Sequence, residues 1–150
     1  MRRAGQGRIL VVEADGGSRG NPGPAGYGAL VRDGAQVLAE RAAAIGVATN
    51  NVAEYRGLIA GLQAVAEIDP HAEVEVRMDS KLVVEQMSGR WKIKHEDMRR
   101  SASQAGRLCA QMSAAGGSVS FTWVPRERNL AADALSNRGM DGETVNQVLA

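Results

Sequence analysis

The sequence predicts an α/β fold built on one mixed sheet, and three observations predict it. Three strand-like runs come first with no helix between them. Helical apolar spacing begins only at Asn51, and strand-like and helical runs then alternate to the end. The order read is β-β-β-α-β-α-α-β-α, which argues against the uniform βαβ alternation of a doubly wound dinucleotide fold. With 150 residues, 44% of them hydrophobic, the chain is long enough for one domain with a real core and too short for two. The folded domain is expected over residues 1–140. The polar residues 141–150 read as a flexible tail or the start of a linker.

Each element has a local reason. RILVVEA is nearly continuous and apolar, the pattern of a strand covered on both faces, and it ends at Asp15. YGALVRD and QVLAERAAAI, separated by the turn-like DGA, read as the next two strands of an antiparallel meander. Tyr55, Leu58, Ile59, Leu62, Val65 and Ala66 then recur at helical spacing until Asp69-Pro70 stops the run. EVEVRMD alternates strictly, with Val74, Val76 and Met78 on one face, and closes at Asp79. SKLVVEQMSG is a short helix stopped by Gly89, and HEDMRRSASQAGRLCAQMSAA is a second helix weakened by Gly106. SVSFTWV is a fifth strand. Asn129 reads as the cap of a last helix, LAADALSNR, ending at Gly139.

Bulk properties exclude little but narrow the setting. The net charge of +1 leaves nucleic acid and small molecules open as partners, because clustered charge, not the total, makes an electrostatic footprint. The single Cys109 has no internal disulfide partner and sits in an Ala/Met-rich helical pattern, so it reads as a small hydrophobe in a reducing compartment. The basic opening MRRAGQG resembles the start of a signal peptide, but the apolar run Ile9 to Val12 stops at Glu13 and is too short for one. A cytoplasmic protein without a membrane segment is expected.

Four carboxylates carry the functional signal. DGGSRGNPGPAGYG follows the first strand but lacks the lysine of a phosphate-cradling loop, and Pro22 and Pro24 forbid the helix that a dinucleotide fingerprint needs next. It is either a plain Pro/Gly turn or a setting in which Asp15, at the mouth of the sheet, meets a cation or ligand. In TNNVAEYRG, an Asn51 cap would put Glu54 in a capping box, yet Glu54 also borders the buried stripe four residues before Leu58. Asp79 closes its strand as a turn former, a helix cap or a site residue. Asp133 flanks the apolar face made by Leu130, Ala131, Ala134 and Leu135. Each has a local explanation, but together they fall at two strand ends and on two helices able to cover the same end of a sheet. Clustered carboxylates repel, and a divalent cation relieves them.

DGGSRGNPGPAGYG, TNNVAEYRGL, MDSKLVVEQM and WVPRERNLAAD, in this order and at these spacings, resemble type 1 ribonuclease H from about Arg8 to Arg138. The likeness is to the short-form members that lack a basic handle. It implies an RNase H-like fold with a five-stranded mixed sheet flanked by helices, and hydrolysis of the RNA strand of RNA/DNA hybrids with Mg²⁺ or Mn²⁺. Asp15, Glu54, Asp79 and Asp133 would be its catalytic, metal-holding carboxylates, with Asp15 bridging two ions and the products ending in 5′-phosphate and 3′-hydroxyl. Ser18, Asn21, Asn50 and Asn51 are the implied readers of the RNA 2′-hydroxyl, and Thr49 the implied grip on a DNA-strand phosphate. Ser80, Arg126 and Asn129 join the substrate-binding set. Lys81, Arg90, Lys92 and Lys94, around Trp91, are either solvated surface or phosphate contacts. The glycines after Asp15 are expected to let backbone approach the duplex.

Three departures qualify the resemblance. VPRERN replaces a longer loop that carries a histidine in some members, with Arg126 the candidate stand-in by position. The chain runs almost directly from its short helix to WKIKH, where other members insert the handle. Val47 stands where some members place an arginine near the phosphate-gripping threonine. A monomer with no obligatory protein partner is expected. Its rivals are a resolvase- or transposase-like DNA nuclease of the same superfamily, a hybrid-binding module without catalysis, and a sugar kinase or actin-like ATPase, whose second lobe a 150-residue domain lacks.

Overall fold

The apolar run Ile9 to Val12 lies at the centre of the sheet, in β1 (Ile9–Ser18), as its hydrophobicity requires. The computed structural model describes residues 8–149, so the basic opening MRRAGQG lies outside the described residues. After β1 come β2 (Gly23–Asp33), β3 (Gln36–Ala48), α1 (Asn50–Ile68), β4 (Glu73–Met78), α2 (Lys81–Met87), α3 (Glu96–Ala114), β5 (Ser118–Trp123), α4 (Leu130–Met140) and β6 (Val145–Val148). A short 3₁₀ turn, Arg126–Arg128, joins β5 to α4. The sheet order is β5-β4-β1-β2-β3-β6. β1, β2, β3 and β6 pair antiparallel, whereas β4 runs parallel to both β1 and β5.

The expected mixed α/β architecture is present, with six strands rather than five. The extra strand comes from residues that read as a loose tail. β6 is short and polar, with Val145 alone buried, and it completes a small second core with Leu30, Ala42, Ala132 and Leu135. Arg41 fixes it further, donating to the Gln147 carbonyl while pairing with Glu67 of α1. A four-residue edge strand with one inward side chain leaves almost no periodicity to read.

The helices take opposite faces. Leu10, Val12 and Ala14 of β1 and Val74, Val76 and Met78 of β4 pack with Tyr55, Leu58, Leu62 and Val65 of α1, and Met98, Ala105 and Met112 of α3 close that layer. On the other face α4 covers β2 and its neighbours. Truncating a residue such as Leu58, fully buried in the larger layer, costs about 2–5 kcal/mol.

Two further readings change. Of the glycines after Asp15, Gly16, Gly17, Gly26 and Gly28 are strand residues that face helices rather than open space, whereas Gly20, at φ +96°, lies in the turn between the two strands. A Cβ on Gly16 would stand 2.2 Å from the carbonyl carbon of Ala53 in α1, and one on Gly28 would stand 2.4 Å from the Ser136 nitrogen in α4. Their service is therefore the close approach of helix to strand. The cap of α1 is Thr49, whose hydroxyl accepts from the Val52 amide, so Asn51 lies inside the helix and Glu54, five residues past the cap, closes no capping box.

Gly16→Ala is expected to lower the free energy of unfolding in urea by at least about 2 kcal/mol, because backbone must move to admit one carbon. Gly34→Ala, at a turn with φ +60° and open space around it, is expected to cost only about 1 kcal/mol. Equal losses at the two positions would contradict the close-approach account.

Candidate functional site

Asp15 is level with Gly28 in the antiparallel ladder, so its side chain shares the face on which Gly28 meets α4. The parallel register Glu13↔Arg77 carries Asp79 abreast of Asp15 one strand away. Glu54 arrives from the second turn of α1, which is seated by the Gly16–Ala53 approach and by Gly57 lying against the Asp15 carbonyl. Asp133 arrives from the first turn of α4. All four carboxylates line one cavity of about 640 Å³, together with Ser18, Asn50, Ser80, Lys81 and Arg126.

Burial dominates the electrostatics. Asp15 is only 8% exposed, and desolvation, reinforced by the Asp79 charge and the nearby Asp133 and Glu54, pushes its pKa up to about 8 against a partly opposing Gly16 amide. Glu54 is pushed up to about 7, again mainly by burial and also by Asp79, while the Ser80 hydroxyl donates to it and acts in the opposite sense. Ser80 thus has two duties, since its oxygen also caps α2 by accepting from Val83. A site that holds acids in this state without a cation is one that a cation would stabilise.

The donor set is entirely oxygen, which fits a hard divalent ion. Among the described residues no three His, Cys, Asp or Glu side chains are gathered tightly enough to cage an ion alone. An ion that keeps several waters and takes substrate phosphate needs only one or two protein carboxylates at a time, and this open arrangement suits it.

Around the carboxylates, the candidate contacts divide by what they touch. Three successive residues at the start of α1 fan out about 100° apart. Thr49 lines a groove beside α3, Asn50 the carboxylate cavity, and Asn51 a third pocket that contains Trp91, Lys92 and Lys94. Asn50 is locked in place, its side-chain oxygen accepting from the Ser18 amide at 2.8 Å and its own amide donating to Asn21 Oδ1 at 2.9 Å. Arg126 stands 3.6 Å from Asp133 Oδ1 and is largely exposed. Arg90, by contrast, is engaged bidentately by Glu85 and is not a free cation.

Asn129 departs most from its expected place. It has no exposed surface, and although it occupies the cap position its side chain does not cap α4. Arg56 and Arg100 line the Thr49 groove, and Arg56 was overlooked although it lies two helical turns after Thr49, on the same side of α1. Cys109 is half-buried against the core, and burial raises its thiol pKa, as expected of a packing residue.

The raised acids have a testable sign. Asp15 binds its proton more tightly in the folded chain, so its contribution to stability is full below about pH 4 and is lost as pH rises through about 8. In chelator, Asp15→Asn is expected to be more stable than the parent at pH 8, by on the order of 2 kcal/mol or more, with the gain vanishing near pH 4. Urea titrations at both pH values measure this.

The chain matches the family model described as Reverse transcriptase-like over residues 13–139. It is 58% identical over 134 residues to a bifunctional protein of Mycobacterium tuberculosis, covering 88% of this chain but only 35% of that protein, so it spans about a third of that relative's length. The solved N-terminal RNase H domain of the same mycobacterial protein superposes with a TM-score of 0.83 at 57% identity, over 90% of this chain and 95% of that one. RNase H1 of the halophilic archaeon Halobacterium salinarum superposes with a TM-score of 0.82 at 42% identity, over 90% and 98% of the two chains. LC11-RNase H1, solved in complex with an RNA/DNA hybrid, gives 0.82 at 38% identity, over 88% and 96%. The same layered sheet, matched over 90% of this chain at these identities, shows that the chain belongs to the type 1 ribonuclease H family.

Proposed function

We propose that the chain is an endonuclease that hydrolyses the RNA strand of RNA/DNA hybrids. The observation that carries this is the convergence of Asp15, Glu54, Asp79 and Asp133 on one cavity, each delivered by a different element of a ribonuclease H fold. A solved relative that holds such a hybrid supports the substrate.

The chemistry follows from the donor set. Divalent ions, Mg²⁺ or in its place Mn²⁺, would be held by the four carboxylates with Asp15 shared, and would supply an activated water and a stabilised 3′-oxygen leaving group. The chain's residues do the rest. Asn50, fixed by Ser18 and Asn21, presents a rigid amide at the cavity wall, suited to a 2′-hydroxyl in the shallow minor groove of a hybrid. Thr49, with Arg56 and Arg100 in the same groove, offers a phosphate a hydroxyl and two guanidinium groups, which supplies charge that Val47 does not. Lys92 and Lys94 with Trp91 offer a second backbone contact, and Lys81 stands at the cavity edge. Arg126, 3.6 Å from Asp133, is by position the candidate to take the place of the absent loop histidine. All four carboxylates come from one chain, which supports a monomer as the working unit. Among the described residues no helix is long and apolar enough to cross a membrane, and a cytoplasmic enzyme is the proposed setting.

The test is cleavage of an end-labelled RNA strand in a hybrid, compared with RNA/RNA, DNA/DNA and single-stranded RNA. Metal-dependent cutting of the hybrid alone, leaving 3′-hydroxyl and 5′-phosphate ends, is expected. Asp79→Asn should lower kcat by about 100–1000-fold with little change in hybrid binding. Preferential cutting of DNA/DNA would transfer the chain to a resolvase-like role, and binding without cutting would leave it a recognition module. Replacing Lys92 and Lys94 together with alanine should weaken binding and lower the slope of log K against log salt by about 1–2, whereas Arg90→Ala should change it less.

A further inference from the structure

The amide of Asn129 is spent inside the protein, on the frame of the carboxylate site. Its Nδ2 donates to the Ala14 carbonyl, next to Asp15, at 3.0 Å and to Asp79 Oδ1 at 3.2 Å. Its own carbonyl accepts from the Asp133 amide at 3.0 Å in the first turn of α4. One residue with no exposed surface therefore touches the strand beside Asp15, the side chain of Asp79 and the backbone of Asp133.

The orientation of the amide is settled by its neighbours. Both groups in reach of Nδ2 are acceptors, so turning the amide over would set Oδ1 against two oxygens. The cost of the observed orientation is that Oδ1 is buried with no donor. A side chain there to cap the helix would accept from an amide of the first turn, and Oδ1 makes no such bond. The position needs the two N–H donors.

We infer that Asn129 is a positioning residue of the nuclease site: its amide clamps Asp79 against β1 while its main chain seats Asp133, fixing the spacing of three carboxylates. The inference rests on the proposed nuclease reading for its catalytic consequence, but the clamp itself is a property of the fold. Asp79 Oδ1 is occupied by the clamp, which leaves Oδ2 as the oxygen free to turn towards the cavity.

Capping preferences make the inference testable. Asp and Ser cap helices about as well as Asn, but Asp has no donor when ionised and Ser has one short one. The variants N129D, N129S and D79N and the reversed pair D79N/N129D are made in the full chain. Thermal midpoints are measured, together with kcat and KM on the hybrid. The clamp predicts that N129D lowers kcat by about 100-fold, the cost of a misplaced group, with KM little changed, and that N129S also loses activity. It predicts that the reversed pair recovers thermal stability lost by N129D, because a donor again faces an acceptor, although activity stays absent. Retained kcat in N129D, or thermal effects of the two substitutions that simply add, would overturn it. Should the parent chain fail to cut hybrids at all, the nuclease reading falls, while the thermal coupling between positions 79 and 129 still decides the clamp.

Discussion

Everything at the carboxylate site depends on backbone touching backbone. α1 lies so close to β1 that Gly16 cannot carry a side chain beneath Ala53, and Gly57 cannot carry one above the Asp15 carbonyl. On the opposite face Gly28 gives α4 the same intimacy with β2. These contacts decide where the opening turns of two helices stand relative to one strand, and so where Glu54, in the second turn of α1, and Asp133, in the first turn of α4, stand relative to Asp15. Interiors are packed too densely to absorb an ångström of error, so the glycines act at the site without touching a ligand.

The electrostatic state follows from that packing. Pressing helices onto the end of β1 removes water from Asp15 and Glu54, and both acids hold their protons well above the usual carboxylate range. A bound cation would favour the ionised form of both acids and so oppose that shift. Around this acidic centre the neutral contacts are rigid: Asn21, Asn50 and Ser18 brace one another, and Ser80 ties Glu54 to the cap of α2. Lys81 and Arg126 line the cavity itself, while Arg56, Arg100, Lys92 and Lys94 line the two neighbouring pockets.

Much of this was legible in the residues. The helical stripe from Tyr55 to Val65 and the strict alternation of EVEVRM give α1 and β4 by periodicity, and the four carboxylates stand out because each falls at an element's end or flank. What was not legible depends on contacts distant in sequence. The glycines after Asp15 read as a flexible turn, because a glycine needed for close approach and one needed for a turn look alike until the partner helix is in place. Asn129 stands at the cap position of α4, as its place before the helix implies, but its side-chain tie to Ala14 spans 115 residues and leaves no local signal. β6 was missed because one buried valine makes no pattern.

Packing alone preassembles an oxygen-lined site centred on Asp15. A crystal of the chain grown with Mn²⁺ and measured at the manganese absorption edge is the test. Anomalous density bonded to Asp15 is expected, with Asp79, Glu54 or Asp133 as a further ligand and the backbone of α1 and α4 unmoved. Manganese bound elsewhere with none at Asp15, or a site that forms only after α1 or α4 has shifted away from the glycine contacts, would contradict it.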